Sequence, residues 1–107
     1  MRLGKTQVGV LARLVELGSC AMSSTFDARW ELQALWRLAN RDLVKHVEYR
    51  HGAITFSFRE AAVTTRDLRL IKRRVRFNPR SYVFWLITPA ARRALRAAQQ
   101  RGGEKNG

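Results

Sequence analysis

The stretch Ser24–Val44, STFDARWELQALWRLANRDLV, decides the fold of this chain. Ser24 and Asp27 form an S-x-x-D pattern that can satisfy the first unpaired amides of a helix, so we predict a helix over residues 24–40. At about 100° per residue its apolar residues form one stripe, which predicts a buried face: Ala28, Leu32, Leu35 and Ala39, with Trp36 at the border and Leu43 just past the end. The opposite face mixes cations, an amide and aromatic rings, namely Phe26, Trp30, Gln33, Arg37 and Arg41, with Arg29 at the margin.

Two further helices are indicated near the ends of the chain. Lys5–Leu17 has apolar residues at helical spacing, and Gly18 follows it where a C-cap glycine belongs. Thr88 and Pro89 are typical of a helix start, an N-cap threonine followed by proline at the first helical position. We therefore predict a last helix over residues 90–100 and a frayed, Gly-rich tail over residues 101–107.

Three segments have the composition of β-strands. Val44–Arg50 alternates and contains β-branched residues, His51 and Gly52 follow as a turn, and Ile54–Phe58 is the predicted hairpin partner. Tyr82–Ile87 is the clearest strand, with at least one buried face. These segments predict a small antiparallel sheet.

The segment between the hairpin and the last strand admits two interpretations. Thr64 and Asp67 form a capping pattern, and apolar spacing favours a short helix through about Arg74. A bent β-ribbon fits the same residues nearly as well. Asn78–Ser81 reads as a turn.

Length and charge bound the class of protein. The chain has 107 residues, which corresponds to one domain, predicted over residues 1–100. Its 21 Lys and Arg against 8 Asp and Glu give a net charge of +13, and a polyanion such as nucleic acid is the first partner that this charge indicates. Residues 68–103 contain ten cations and no anion. Arg outnumbers Lys 17 to 4, which favours bidentate recognition of phosphate and guanine, although GC-rich coding would produce the same bias.

Other function classes have little support in the sequence. The longest apolar run, Tyr82–Ile87, has six residues, against about 20 for a membrane span. Cys20 is the single cysteine, so we expect no disulfide, no thiolate metal cluster and a cytoplasmic location. The two histidines, His46 and His51, are not spaced to chelate a metal together, and we expect no catalysis, no metal and no cofactor.

Two motifs in this order of elements resemble the winged helix-turn-helix family of DNA-binding proteins, which includes repressors of the MarR and PadR kind. Leu35-x-x-Leu38-x-x-Arg41-Asp42-Leu43-Val44 is similar to the family's exit from the recognition helix, and Ile87–Leu95 is similar to its strand-to-helix junction. Asp42 and Ala91 stand where the family prefers glycine, which predicts a less sharply turned backbone there. The resemblance implies an α+β winged helix-turn-helix with an enlarged β wing, or an inserted helix, and a C-terminal helix.

The resemblance also implies which residues contact nucleic acid, because it makes the helix over 24–40 the recognition helix. The candidate base contacts are Arg29, Trp30, Gln33 and Arg37. The candidate phosphate contacts are Ser24, Thr25, Arg41, Arg59, Arg69, Lys72, Arg73, Arg74, Arg76 and Arg80. A solvated helix face would look similar, and Trp30 fits burial against the wing or a dimer partner as well as it fits DNA contact.

The function expected from these features is transcription regulation through double-stranded DNA, as a repressor. An RNA-binding or ribosome-associated protein is the alternative, and a protein-protein assembly module is a third possibility. We further expect a homodimer, because two half-sites multiply affinity. The first and last helices would supply its contact through Leu3, Val10, Leu95 and Ala98.

Overall fold

Helices and strands alternate along the chain in a computed structural model that describes residues 2–77 and 82–106. Its regular elements, in chain order, are α1 Lys5–Glu16, β1 Cys20–Met22, α2 Arg29–Asn40, β2 Val44–Arg50, β3 Ala53–Ser57, α3 Thr65–Phe77, β4 Val83–Ile87 and α4 Pro89–Asn106. A single turn of 3-10 helix occupies Ser23–Thr25, and Phe58–Glu60 form a tight turn in which Arg59 and Glu60 have positive φ. The described part of the chain is thus an α+β domain, as its sequence predicts.

The four strands form one antiparallel sheet in the order β1-β4-β2-β3. In its centre β2 pairs with β4, with Val44 opposite Ile87 and Val47 opposite Phe84. The hairpin of β2 and β3 turns through His51 and Gly52, both with positive φ, as the two central residues of a type I′ turn require. Strand β1 is absent from the sequence prediction, because its three residues carry too little pattern to indicate pairing partners 62 to 66 positions away.

Both faces of the sheet are covered by helices, so the domain has three layers. Successive side chains of a strand point to opposite faces. On β4, Trp85 and Ile87 join the core that α1, α2 and α4 build, whereas Phe84 and Leu86 join a second core. The buried Ile71 of α3 lies in that second core. Consequently α2 and α3 lie on opposite faces of the sheet.

The helical interpretation of the segment after the hairpin is confirmed, and the residues that the structure describes form no enlarged β wing. The amide N of Thr64 donates to Asp67 Oδ2 at 3.0 Å, and the amide N of Asp67 donates to Thr64 Oγ1 at 3.2 Å, which completes the predicted cap. Asp67 Oδ2 also accepts from Lys45 Nζ at 2.6 Å, which ties the first turn of α3 to the sheet. Residues 65–77 therefore form an inserted helix on the sheet, which continues three residues past Arg74.

Helix α2 begins at Arg29, so the predicted start at Ser24 is wrong. Ser23–Thr25 form a 3-10 turn, and the Ser24 hydroxyl does not cap a helix. The cause is Phe26, which is only 1% exposed in the main core and requires an extended backbone at that position. Phe26 therefore does not belong to the outer face. The buried face of α2 is also shifted from the predicted stripe: Glu31, Ala34, Leu35, Leu38 and Ala39.

The backbone at Asp42 turns sharply, contrary to the expectation from its missing glycine. Asp42 has φ +58°, a left-handed conformation that aspartate tolerates better than most residues. The predicted cap of α4 is confirmed: the Thr88 hydroxyl accepts from the amide N of Ala91 at 3.1 Å and donates to the carbonyl of Leu43 at 2.8 Å. Helix α4 runs to Asn106, so residues 101–106, predicted as a frayed tail, are helical.

The residues named for a dimer contact belong to the core of the chain itself. Leu3, Val10 and Leu95 are all buried in the main core, and Ala98 packs against it. A dimer contact through these side chains is therefore wrong, because forming it would require the core to open. No helix in the described ranges is both long enough and apolar enough to cross a membrane.

Candidate nucleic-acid interface

The outer face of α2 carries all four candidate base contacts. Arg29, Trp30, Gln33 and Arg37 are exposed, and at about 100° per residue they fall within about 100° of helix rotation. Trp30 is 56% exposed, which is unusual for so large an apolar side chain. We call these four residues the α2 outer face.

The inner face of α2 is held firmly in the fold. Leu35 and Leu38 are fully buried, and the carboxylate of the buried Glu31 accepts from the Arg13 guanidinium of α1. At the border of this face Trp36, 38% exposed, packs edge-on against Trp85, with ring centroids 5.0 Å apart. A rigid inner face fixes the direction in which the outer face points.

The N-terminal turn of α1 adjoins the α2 outer face. Gly4, Lys5, Thr6 and Gln7 line a groove of about 280 Å³ with Trp30, Gln33, Ala34 and Arg37. Lys5 is exposed in this groove, and Arg2 is exposed three residues before it, with its carbonyl accepting from Arg41. The sequence assigned neither cation to the site. They could not have been assigned from the sequence, because only the packing of α1 on α2 brings them close.

Arg41 and Arg59, both candidate phosphate contacts, are engaged at the C-terminal end of α2. Arg41 donates to Gln7 Oε1 at 3.0 Å and to the carbonyl of Arg2 at 3.1 Å, so its guanidinium joins α2 to α1. Arg59 donates to the carbonyl of Asn40 at 2.8 Å and so satisfies one of the last carbonyls of α2. Its Nε lies 3.8 Å from Asp42 Oδ1. Both remain close to the outer face, and their role in phosphate contact stays a prediction.

Ser24 and Thr25 lie in the 3-10 turn that precedes α2. Ser24 is exposed, and the carbonyl of Thr25 accepts from Arg13 at 3.3 Å. The turn therefore stands beside the N-terminal end of α2, where phosphate contact remains a prediction.

The other candidate phosphate contacts are not brought together with the α2 outer face. Arg69, Lys72, Arg73 and Arg76 are exposed on α3, and Arg74 is half-buried near Gly18 and Cys20 at the edge of the sheet. Since α3 covers the opposite face of the sheet, one surface cannot present both sets. Arg80 lies outside the described residues.

Of the two side chains that could carry chemistry, Cys20 is buried and His46 is half-buried. The His46 ring packs between Trp36 and Trp85 at a tilt of 51°, with ring centroids 4.7 and 4.3 Å away. Partial burial lowers the pKa of His46 below the usual 6.5, which nearby Glu48 opposes. Burial raises the pKa of the Cys20 thiol from 9.0 to about 12. In the described ranges no three His, Cys, Asp or Glu side chains are grouped to hold a metal ion.

Comparison with protein-family models, with curated proteins and with solved structures finds no match for this chain.

Proposed function

We propose that this protein is a double-stranded DNA-binding transcription regulator that acts as a repressor and reads the major groove with α2. The observation that carries the proposal is the α2 outer face: exposed Arg, Gln and Trp side chains on one arc of a helix whose other face is fully anchored. A helix of this kind can enter a groove without losing its packing on the domain.

The residue types on this face suit the edges of base pairs. Arginine pairs in a bidentate manner with guanine O6 and N7, and glutamine pairs similarly with adenine N6 and N7. Arg37 and Gln33 are one helical turn apart on the exposed arc, so neighbouring base pairs would be within reach of both. The major groove of B-DNA is about 12 Å wide and admits an α-helix.

The surroundings of α2 supply positive charge for the phosphate backbone. Lys5 lines the groove next to the outer face, and Arg29 stands at the start of the helix. The net charge of +13 adds a long-range attraction to any polyanion. The order helix, strand, turn, helix and hairpin is compatible with the winged helix-turn-helix family that the two sequence motifs resemble.

The test starts from a pool of random-sequence duplexes, from which the full chain selects its preferred site. Affinities of Arg37→Ala are then measured on the selected duplex and on a scrambled duplex of equal composition. We expect a loss of about 1 to 3 kcal/mol on the selected duplex, or roughly 5- to 150-fold, and a smaller loss on the scrambled one.

Arg96→Ala is the matched control, because it removes the same charge from an exposed position of α4. It should weaken both duplexes equally or not at all. The proposal is contradicted if no sequence is enriched, if Arg37→Ala weakens both duplexes by the same factor, or if duplex RNA competes better than DNA. The last outcome would favour the RNA-binding alternative.

We also propose that the protein binds DNA as a homodimer, through a surface other than the buried residues of α1 and α4 excluded above. A paired set of half-sites would explain discrimination by so small a domain. Sedimentation at tens of micromolar that shows a monomer, free and on DNA, would contradict this.

A further inference from the structure

Helix α3 presents a stripe of cations along its whole exposed face. Arg66, Arg69, Lys72, Arg73 and Arg76 are all exposed, and at about 100° per residue they lie within about 120° of helix rotation. The stripe extends about 15 Å along the helix, at 1.5 Å per residue. We call these five residues the α3 stripe.

Negative charge is missing from this face. The one carboxylate of α3, Asp67, points to the sheet, where it is buried against Lys45. Among the described residues no ion pair involves a member of the α3 stripe. The five cations therefore repel one another, and a polyanion laid along the helix would relieve this repulsion.

The stripe faces away from α2. The apolar side of α3 packs on the sheet face that carries Val47, Phe84 and Leu86, whereas α2 packs on the face that carries Val44 and Trp85. With about 10 Å for each packed layer, the axes of the two helices are separated by roughly 20 Å. A duplex docked on the α2 outer face would have the sheet between itself and the stripe.

We propose that the α3 stripe binds the phosphate backbone of a second DNA duplex, so that one protein bridges two duplexes or two segments of one. A single strand of DNA carries one phosphate per about 3.4 Å of axis, so the 15 Å stripe matches about four consecutive phosphates. Four of the five cations are arginines, which suit bidentate phosphate contact. The contact is to the backbone and reads no sequence.

A duplex fits this surface better than an anionic membrane does. A helix that lies in a membrane interface inserts its apolar face among the lipids. Leu68, Leu70, Ile71 and Val75 of α3 are already packed against the sheet and are not free to insert. A charged, rigid stripe without an apolar partner face suits a rod of phosphates.

Bridging rests on the proposed function, because α2 is required to hold the first duplex. The assay uses beads that carry the duplex selected by the full chain. Protein is loaded on the beads, and a fluorescent scrambled duplex is then added across a salt series. The readout is the amount of scrambled duplex captured per molecule of protein retained.

The test variant is Arg69→Gln, Arg73→Gln and Arg76→Gln together, and the control is Arg93→Gln, Arg96→Gln and Arg101→Gln. Both remove three exposed arginines from one helix. We expect the α3 variant to capture about tenfold less second duplex. The slope of log affinity for that duplex against log salt should become less steep by about 2.7, since three phosphate contacts are lost at about 0.9 each. The α4 control should retain capture, and lysine at the three α3 positions should restore it.

Several outcomes would overturn the proposal. Unchanged capture by the α3 variant would mean that two α2 faces of a dimer bridge the duplexes instead. Loss of preference for the selected duplex in the α3 variant would place α3 on the first duplex. Loss of binding to phosphatidylserine vesicles without loss of duplex capture would assign the stripe to a membrane.

The assay also separates failure of this inference from failure of the proposed function. If Arg37→Ala leaves retention on the beads unchanged while the α3 variant abolishes it, both the reading role of α2 and bridging are refuted. If Arg37→Ala lowers retention and capture per retained molecule is the same for wild type and α3 variant, bridging alone is refuted.

Discussion

Removal of the Asp67 charge is expected to destabilise the domain by about 3 kcal/mol, because this carboxylate joins α3 to the sheet. Its side chain is 6% exposed, and Oδ2 accepts both from Lys45 Nζ at 2.6 Å and from the amide N of Thr64 at 3.0 Å. Asp67→Asn keeps the shape and leaves the Lys45 ammonium, 15% exposed, without its counter-ion. Breaking a buried pair from one side costs about 3 to 5 kcal/mol, and the partial exposure of Lys45 places the expected value at the lower end.

Two further variants separate the ion pair from the helix cap. Thr64→Ala removes only the hydroxyl that accepts from the amide N of Asp67, and should cost about 1 kcal/mol. Lys45→Met leaves the buried Asp67 without its partner and should cost about as much as Asp67→Asn. The double variant of Lys45→Met and Asp67→Asn should cost no more than either single variant, since neither charge is left alone.

The assay is urea unfolding followed by circular dichroism, with the slope checked for each variant so that midpoints can be compared. A loss of 3 kcal/mol should also lower Tm by roughly 12 to 24 °C in a domain of this size. A cost below about 1 kcal/mol for Asp67→Asn, or strict additivity in the double variant, would refute the reasoning that a buried charge pair anchors α3.

Three other predictions concern single side chains. Trp30→Ala should change the free energy of unfolding by less than about 0.5 kcal/mol and weaken duplex binding, because its ring is 56% exposed. Thermal unfolding and titration with duplex check this prediction, and unchanged affinity for the duplex would count against DNA binding by the α2 outer face. Since burial raises the pKa of Cys20 to about 12 and hides its thiol, the thiol should react with Ellman's reagent at pH 8 more than about tenfold more slowly than in denaturant. The stability contribution of that neutral thiol should persist below pH 9.0 and fall as the pH rises towards about 12. Since burial lowers the pKa of His46, the stability contributed by its neutral ring is present above pH 6.5 and is lost as the pH falls below that value. In urea unfolding, the decrease in the free energy of unfolding from pH 7 to pH 5 should therefore be smaller for His46→Phe than for the wild type. An equal decrease in both proteins would contradict this assignment.

Local patterns predicted most elements, because their signals lie within a few residues. The apolar spacing of Lys5–Leu17, the Thr64 and Asp67 cap and the Thr88 and Pro89 helix start are each confirmed in place. The outer face of α2 was also predictable, since helical periodicity alone separates Arg29, Gln33 and Arg37 from the buried side. The start of α2 was not predictable, because burial of Phe26 overrides the favourable capping pattern at Ser24.

Charge and periodicity in the sequence by themselves determined that the chain is strongly basic, that α2 has a polar, basic outer face and that the segment after the hairpin carries many cations. The tertiary structure alone decided that these two basic surfaces lie on opposite sides of the sheet, and that Lys5 stands next to the outer face of α2. The physical reason is that helical periodicity and charge are properties of neighbouring residues. The side of the sheet on which a helix packs depends instead on pairing between distant strands, such as β1 with β4, and on which apolar faces they leave to be covered.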